Sequence, residues 1–441
     1  MSELPGGWME LKLGDVVHYA DNTTVQPDAM QEDAWLLELE DIERDSSRIL
    51  AYETVGKRKP QSAKNSFHAG DVLYGKLRPY LNKVVRADRN GYSSSEIIAI
   101  KPNQLDGGYL FHYLKSPRFR DYVQAVTHGV RMPRLGTEQA KAAPFPLPPL
   151  AEQKRIAQKL DALLAQVDTL KARIDAIPAL LKRFRESVLT AATNGNLTED
   201  WRTQMGSCEN WTKVELADVA REFSYGSAAK STKQGLVPVL RMGNIQNRLL
   251  DWKDLVFTSD LDEIKKYSLK DGDVLFNRTN SPELVGKTAV FKGNRDAIYA
   301  GYLIKVKCSA RLLPDYLNYC LGSPLGRAYC WKVKSDGVSQ SNINAKKLAA
   351  FTFDLPSVEE QTEIVRRVEQ LFAYADQLEA KVAAAQKRIN ALTQSLLAKA
   401  FRGELVPQDP GDEPASVLLD RIRAQRAAAP KPKRGRKAAT S

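Results

Sequence analysis

The sequence predicts a mixed α+β protein: two similar domains separated by two long helices that form an intramolecular antiparallel coiled coil, related by a pseudo-twofold. Three observations predict it. The chain repeats itself in order at offsets drifting between 202 and 208 residues. Each copy contains short β-rich runs (DVLYGKL, SEIIAIKP, DVLFNRT, YLIKVKC) broken by Gly, Asn, Asp and Pro, with helical stretches such as YLFHYLKSPRFRDYV between them. After each copy comes a helix with a regular apolar stripe of period 3.5.

In chain order, residues 1–146 form the first domain and residues 206–355 the second. Trp8 and Asp15 in GWMELKLGDV match Trp211 and Asp218 in NWTKVELADV, and Glu40-Asp41-Ile42 matches Gly243-Asn244-Ile245. Gly70-Asp71-Val72-Leu73 returns as Gly272-Asp273-Val274-Leu275. Tyr109, Ser116-Pro117, Arg120 and Tyr122 return as Tyr316, Ser323-Pro324, Arg327 and Tyr329, and Gly129-Val130 as Gly337-Val338. Residues 147–205 are a helix with its connector, and residues 356–403 are the second helix. Residues 404–441 hold a short amphipathic piece, EPASVLLDRIRAQ, and a basic tail too polar and Pro/Ala-rich to pack, expected to be disordered.

Both helices open on the same signature, Leu147-Pro148 with Glu152-Gln153 and Leu355-Pro356 with Glu360-Gln361. Acids in the first turn suit the positive end of the helix dipole, and Gly195 and Gly403 are the expected left-handed stops. The first seam runs Ile156, Leu160, Leu163, Val167, Leu170, Ile174, Ile177, Leu181, Phe184 and Val188, in steps of four and three. The second runs Ile364, Val368, Leu371, Ala375, Leu378, Val382, Ala385, Ile389, Leu392 and Leu396. Two matched stripes in one chain are best buried against each other, along roughly 50 Å at 1.5 Å per residue. Pro178 removes a backbone donor inside the first seam, but the register resumes at Leu181, so a kink is expected and not a stop.

The 441 residues carry 65 Lys+Arg against 53 Asp+Glu, a net +12, with 43% hydrophobic and 27% charged residues, which excludes a disordered chain. No apolar run approaches the roughly 20 residues of a membrane helix, and MSELPGGWMELKLGD is not expected to act as a signal peptide. Four scattered cysteines, Cys208, Cys308, Cys320 and Cys330, point to a reducing, cytoplasmic setting. Gly286-Lys287-Thr288 has Ser281 where a phosphate-binding loop needs its first glycine. His18, His68, His112 and His128 have no zinc-like spacing. Asp260, Glu263 and Lys265 read as a solvated helix face, with a metal-dependent nuclease as the lesser alternative. The chain reads as non-catalytic.

Charge within the first domain is segregated along the sequence: residues 1–53 hold 3 basic and 13 acidic side chains, residues 54–146 hold 16 and 6. Of the net +12, five charges belong to the tail, at Lys431, Lys433, Arg434, Arg436 and Lys437. After both Gly-Asp-Val-Leu strands and both Gly-Val pairs, the repeat breaks into different polar residues. Lys76, Arg78, Tyr80, Asn82, Arg131 and Arg134 stand in the first copy. Tyr225, Lys230, Arg241, Asn277, Arg278, Asn280, Gln340, Ser341 and Asn342 stand in the second. Lys and Arg neutralise phosphates, while Arg, Asn and Gln can pair with base edges in the major groove. Shared scaffolds with different polar tips suit two readers of two different sequences. A structural adaptor whose domains bind proteins fits the same layout, but the charge segregation favours DNA.

The helix signatures PLPPLAEQKRIAQKLDALLAQVD and LPSVEEQTEIVRRVEQLFAYAD, the Gly-Asp-Val-Leu strands and the doubled layout resemble the DNA specificity subunit of a type I restriction–modification enzyme, over about residues 6–425. The resemblance implies two target recognition domains, each reading one half of a split double-stranded target, with the coiled coil setting the gap. It implies docking of two methyltransferase subunits and then restriction/motor subunits, which would hold the AdoMet, ATP and Mg²⁺. No cofactor or metal is expected in this chain, and no membrane. The family pattern does not account for the basic tail.

Overall fold

The computed structural model describes residues 4–21, 23–127, 132–206 and 211–428. The chain divides into two compact units, Met1–Ile174 with Ala384–Ser441, and Asp175–Ala383. Each unit therefore holds one domain and a stretch of each long helix. The sequence-based segments were cut at domain ends, whereas the units cut both helices midway.

In the first unit, strand Met9–Lys12 pairs antiparallel with Pro144–Leu147 (Met9 opposite Leu147), so the domain's two ends are joined. Its main sheet runs in the order His18–Tyr19, Ile97–Lys101, Val72–Gly75, Val84–Arg86. Val72, Leu73 and Tyr74 are all buried, as an apolar run without alternation requires when both faces are covered. Helices Gly107–Lys115 and Pro117–Val126 pack beside it, the second capped by Ser116, which accepts from Phe119 N. A second sheet orders Thr24–Val25, Lys64–Phe67, Gly91–Ser93, Trp35–Leu37.

The second unit repeats this plan. Thr212–Glu215 pairs with Thr352–Leu355, and the main sheet orders Ala220–Tyr225, Leu303–Cys308, Val274–Asn277, Thr288–Val290. Helices Pro314–Gly322 and Pro324–Val333 take the places of the first pair.

The first long helix spans Leu150–Thr193 and passes through Pro178 without ending; the second spans Val358–Ala400. Gly195 and Gly403 follow them with φ of +85° and +76°, conformations that a side chain would strain. In the first unit, Ile156 and Leu160 share a core with Leu397, Ala400 and Phe401, the start of one helix against the end of the other. In the second unit, Val188, Leu189 and Ala192 share a core with Ile364 and Val368. The pairing is antiparallel in both.

Burial along the seam is uneven. Ile156, Leu160, Val167, Ile364, Val368, Val382 and Ile389 are buried, while Leu163, Ile174, Leu371 and Leu378 are half-buried. Leu170 and Leu392 are exposed, at 49% and 46%, which corrects their assignment as sealed seam positions. A two-helix seam covers only one side of a side chain, and full burial comes where a domain core adds a third layer. Helix Ala415–Ala428, the expected amphipathic piece, buries Ala415, Leu418, Leu419 and Ile422 in the first unit's core. The basic tail lies outside the described residues. Among the described residues, no helix is long and apolar enough to cross a membrane.

Candidate nucleic-acid interface

The residues identical between the copies are structural, and they fix the scaffold that carries the variable ones. Trp8 Nε1 donates to Glu152 Oε2 at 2.9 Å, and Trp211 Nε1 to Glu360 Oε2 at 3.0 Å. Gln153 accepts from Asp106 N and donates to Pro148 O, both at 3.0 Å. Gln361 accepts from Leu313 N at 2.8 Å and donates to Pro356 O at 3.0 Å. Tyr109 and Tyr316 donate to the carbonyls of Pro146 and Asp354. Asp71 and Asp273 close the turn before each Gly-Asp-Val-Leu strand by accepting from His68 N and Lys270 N. Each of these repeated polar groups finds its partner locally or on the helix start, as burial demands.

On this scaffold the two polar loops of each copy become neighbours. In the first, Leu77 bridges Arg134, Lys76 N donates to Glu96 O at 2.9 Å, and Leu135 N donates to Lys76 O at 3.0 Å. In the second, Thr279 pairs with Asn342 and Asn280 with Ser341. Arg278 N donates to Tyr302 O at 3.0 Å and Ile343 N to Arg278 O at 2.9 Å, the same ladder. Lys76 and Arg278 thus occupy one backbone position in two copies. The loops that differ most in side chain share the same main-chain frame.

Side-chain placement separates exposed tips from internal struts. Lys76 is half-buried and Arg78 exposed, and neither forms an ion pair among the described residues. Tyr80 is 61% exposed on the same loop. Asn82 is a correction: it is buried, at φ +48°, closing the turn Pro79–Leu81. A left-handed turn position favours Asn for its backbone, so its appearance in a polar loop did not imply a presented amide. Arg134 is forked onto Glu96 at 3.0 and 3.2 Å. Arg131 lies outside the described residues.

In the second copy, Lys230 and Gln340 are exposed, Gln340 beside the tip residue Val338. Arg241 is exposed, with Nη2 donating to Asp254 O at 2.9 Å. Asn277 and Ser341 are corrections, both fully buried. Asn277 ends a strand buried on both faces, and Ser341 donates to Asp336 within its own hairpin. Asn280 accepts from Ser281 N, and Asn342 Nδ2 donates to Thr279 Oγ1 at 2.7 Å. Arg278 lies 4.7 Å from the centroid of the Tyr225 ring, and Tyr225 Oη accepts from Ala345 N at 3.0 Å. Sequence reasoning missed Glu96 and Thr279, the partners of Arg134 and Asn342. No motif marks them, because only the pairing of very short strands brings them there.

The charge segregation of the first domain is partly offset in space. Arg58 pairs with Asp41 at 2.6 Å, Lys64 with Glu38 at 2.8 Å, and Arg118 with Glu10 at 2.8 Å. Basic residues of the later part neutralise acids of the earlier one. Lys83 and Lys287 follow the main strand in each copy, and burial lowers the pKa of each ammonium. Asp260 caps helix Leu261–Tyr267 by accepting from Asp262 N and Glu263 N, and Glu263 accepts from Ser227, so both acids have structural work. Among the described residues, no His, Cys, Asp or Glu cluster could hold a metal.

Comparison with known proteins identifies the scaffold. The profile of the type I restriction modification DNA specificity domain matches residues 5–179 and 208–385. The chain is 38% identical over 352 residues to the type I restriction enzyme EcoKI specificity subunit of Escherichia coli K12, covering 77% of this chain and 76% of that one. It is 36% identical over 355 residues to the StySPI specificity subunit of Salmonella potsdam, with the same coverage. The fold matches a chain solved in work on complex assembly and conformational transition of the type I R-M system, with TM-score 0.70, 20% identity, and 92% of this chain and 100% of that one covered. It also matches the HsdS subunit of Thermoanaerobacter tengcongensis, with TM-score 0.60, 20% identity, and 92% and 99% covered. The chain belongs to the family of type I restriction–modification specificity subunits.

Proposed function

We propose that this chain is the non-catalytic subunit that reads a split double-stranded DNA target, one half per domain, in the cytoplasm. One observation carries the reading: both copies build the same main-chain ladder between two loops and then furnish it with different polar side chains. A fixed frame with interchangeable tips is what two independent base readers need, since phosphate contacts position and base contacts specify. The antiparallel helices would act as the spacer that sets the gap between the two half-sites. Two methyltransferase subunits, and then restriction/translocase subunits, would dock on it and supply AdoMet, ATP and Mg²⁺.

Filter binding of the full chain to duplex DNA over increasing salt tests the reading. A DNA reader shows log affinity falling linearly with log salt, by about 0.9 per phosphate neutralised. A flat dependence makes it a protein-binding adaptor. Duplex incubated with the pure chain and Mg²⁺ stays intact; cleavage would revive the nuclease reading. Adding one heptad to each long helix preserves the seam and lengthens it by about 10 Å, so the gap between half-sites changes and the half-sites do not. An unchanged gap removes the ruler.

A further inference from the structure

We infer that Arg278 reads a guanine in the half-site of the second domain, and that Tyr225 is the positioning residue that aims it. The inference rests on the DNA-reading function proposed above and goes further by naming the reader, its base and its support. Arg278 is held from three sides. Its guanidinium carbon lies 4.7 Å from the Tyr225 ring centroid, its Nη1 donates to Gly301 O at 3.3 Å, and its backbone is clamped between Tyr302 O and Ile343 N. The Tyr225 ring is itself pinned, because its hydroxyl accepts from Ala345 N at 3.0 Å. Arg278 Nε is enclosed without a partner, and Nη2 makes no hydrogen bond among the described residues. The Nη end of the fork therefore carries unspent donors.

The contact with the Tyr225 ring and the bond to Gly301 O hold the guanidinium in place, and a planar fork so held suits two adjacent acceptors in one plane. Guanine N7 and O6 are such a pair. A phosphate offers paired oxygens too, but sites that track phosphates gather several Lys and Arg. Here Arg278 is the one cation in segments 277–280 and 339–342; with Asn277 and Ser341 buried, the polar residues left beside it there are Thr279, Asn280, Ser339, Gln340 and Asn342. A lone, oriented cation among neutral amides and hydroxyls is furnished for base edges. In the first copy the same backbone position carries Lys76, for which no aromatic contact occurs among the described residues. The clamp is thus a feature of the second reader and not a requirement of the fold.

The test uses the full chain and duplexes carrying the host's split methylation motif, each base pair of both halves replaced in turn, with affinity read by fluorescence anisotropy. Arg278→Ala is expected to lower affinity for the cognate duplex roughly 5- to 150-fold. It should lose nothing more when one particular guanine of one half-site is replaced. Tyr225→Ala should flatten discrimination at that same guanine and spare the other half-site, while Tyr225→Phe, which keeps the ring but loses the hydroxyl bonded to Ala345 N, should restore it in part. A uniform loss across all sequences for Arg278→Ala makes it a phosphate contact and overturns the guanine assignment. Unchanged discrimination in Tyr225→Ala overturns the positioning role. If the unaltered chain shows no salt-dependent duplex binding, the underlying DNA reading fails first, and this inference with it.

Discussion

Glu152-Gln153 and Glu360-Gln361 illustrate how a residue motif can look functional and be mechanical. Each pair sits at a helix start, buried, with the glutamate holding the tryptophan just before the strand that opens its domain and the glutamine holding the loop that leads into a domain helix. Gln153→Ala removes an acceptor from Asp106 N and a donor from Pro148 O, leaving two backbone groups unpaired at a cost of about 2 kcal/mol. Gln361→Ala should cost the same or slightly more, because its side chain also donates to Arg311 O. Denaturant unfolding of both variants checks this, and a large loss at only one site would show the copies mechanically unequal. Lys115 gives a pH-dependent counterpart. Burial pushes its ammonium down to about 8 from 10.5, against the pull of Asp168 and Asp45. Between those values the unfolded chain binds more protons than the folded one, so stability rises with pH across that window. Lys115→Met should therefore raise the melting temperature at pH 7, by at most about 3 kcal/mol of stability. The gain should shrink between pH 8 and pH 10.5; a pH-independent gain would trace it to packing instead.

The long helices show which elements a sequence announces. Their 3.5-residue stripes, glycine stops and proline-led starts are local and periodic, so length, register and pairing direction could be anticipated from the chain alone. How deeply each seam residue is buried could not, because that depends on whether a domain core adds a third layer. Leu160→Ala removes a side chain sealed among both helices and the domain, and should cost about 2–5 kcal/mol. Leu170→Ala, ten residues on and half exposed, should cost under about 1 kcal/mol. Equal losses by thermal unfolding would mean that the seam is sealed along its whole length. The candidate interface was legible in a similar, partial way. The break in the repeat located both loops, and the structure brings them together. It could not separate Arg78 and Gln340, which face solvent, from Asn82, Asn277 and Ser341, which are buried. Polar residues in turns serve backbone geometry as often as ligands, and strands of two residues leave no periodic signal. Ion-pair partners such as Glu96 are set by contacts across the fold, which no local pattern encodes.

At the scale of the whole molecule, charge summed along the sequence misleads, because acids and bases from the two parts of the first domain meet as Arg58–Asp41 and Lys64–Glu38. What survives is modularity, and it can be tested directly. Residues 9–147 form a closed body whose ends are joined by the Met9–Leu147 register. The body is tied to the first helix by Gln153 and, through the preceding Trp8, by Glu152, and its Tyr109 and Tyr113 rings lie 5.1 and 5.6 Å from Phe401, the residue that follows the second helix. Arg426 adds a tie from the last described helix by donating to the carbonyls of Gly14 and Val17. A homologous domain exchanged for residues 9–147 should fold if it keeps the two tyrosines and the loop that meets Gln153, since those contacts close the core. Methylation sequencing of a host carrying the chimera should then show one half of the split motif replaced and the other retained. Replacement of both halves would mean that each domain reads across the whole target, and the repeated frame would no longer explain specificity. Loss of methylation with the chimera folded would instead place a docking surface for the methyltransferase within residues 9–147.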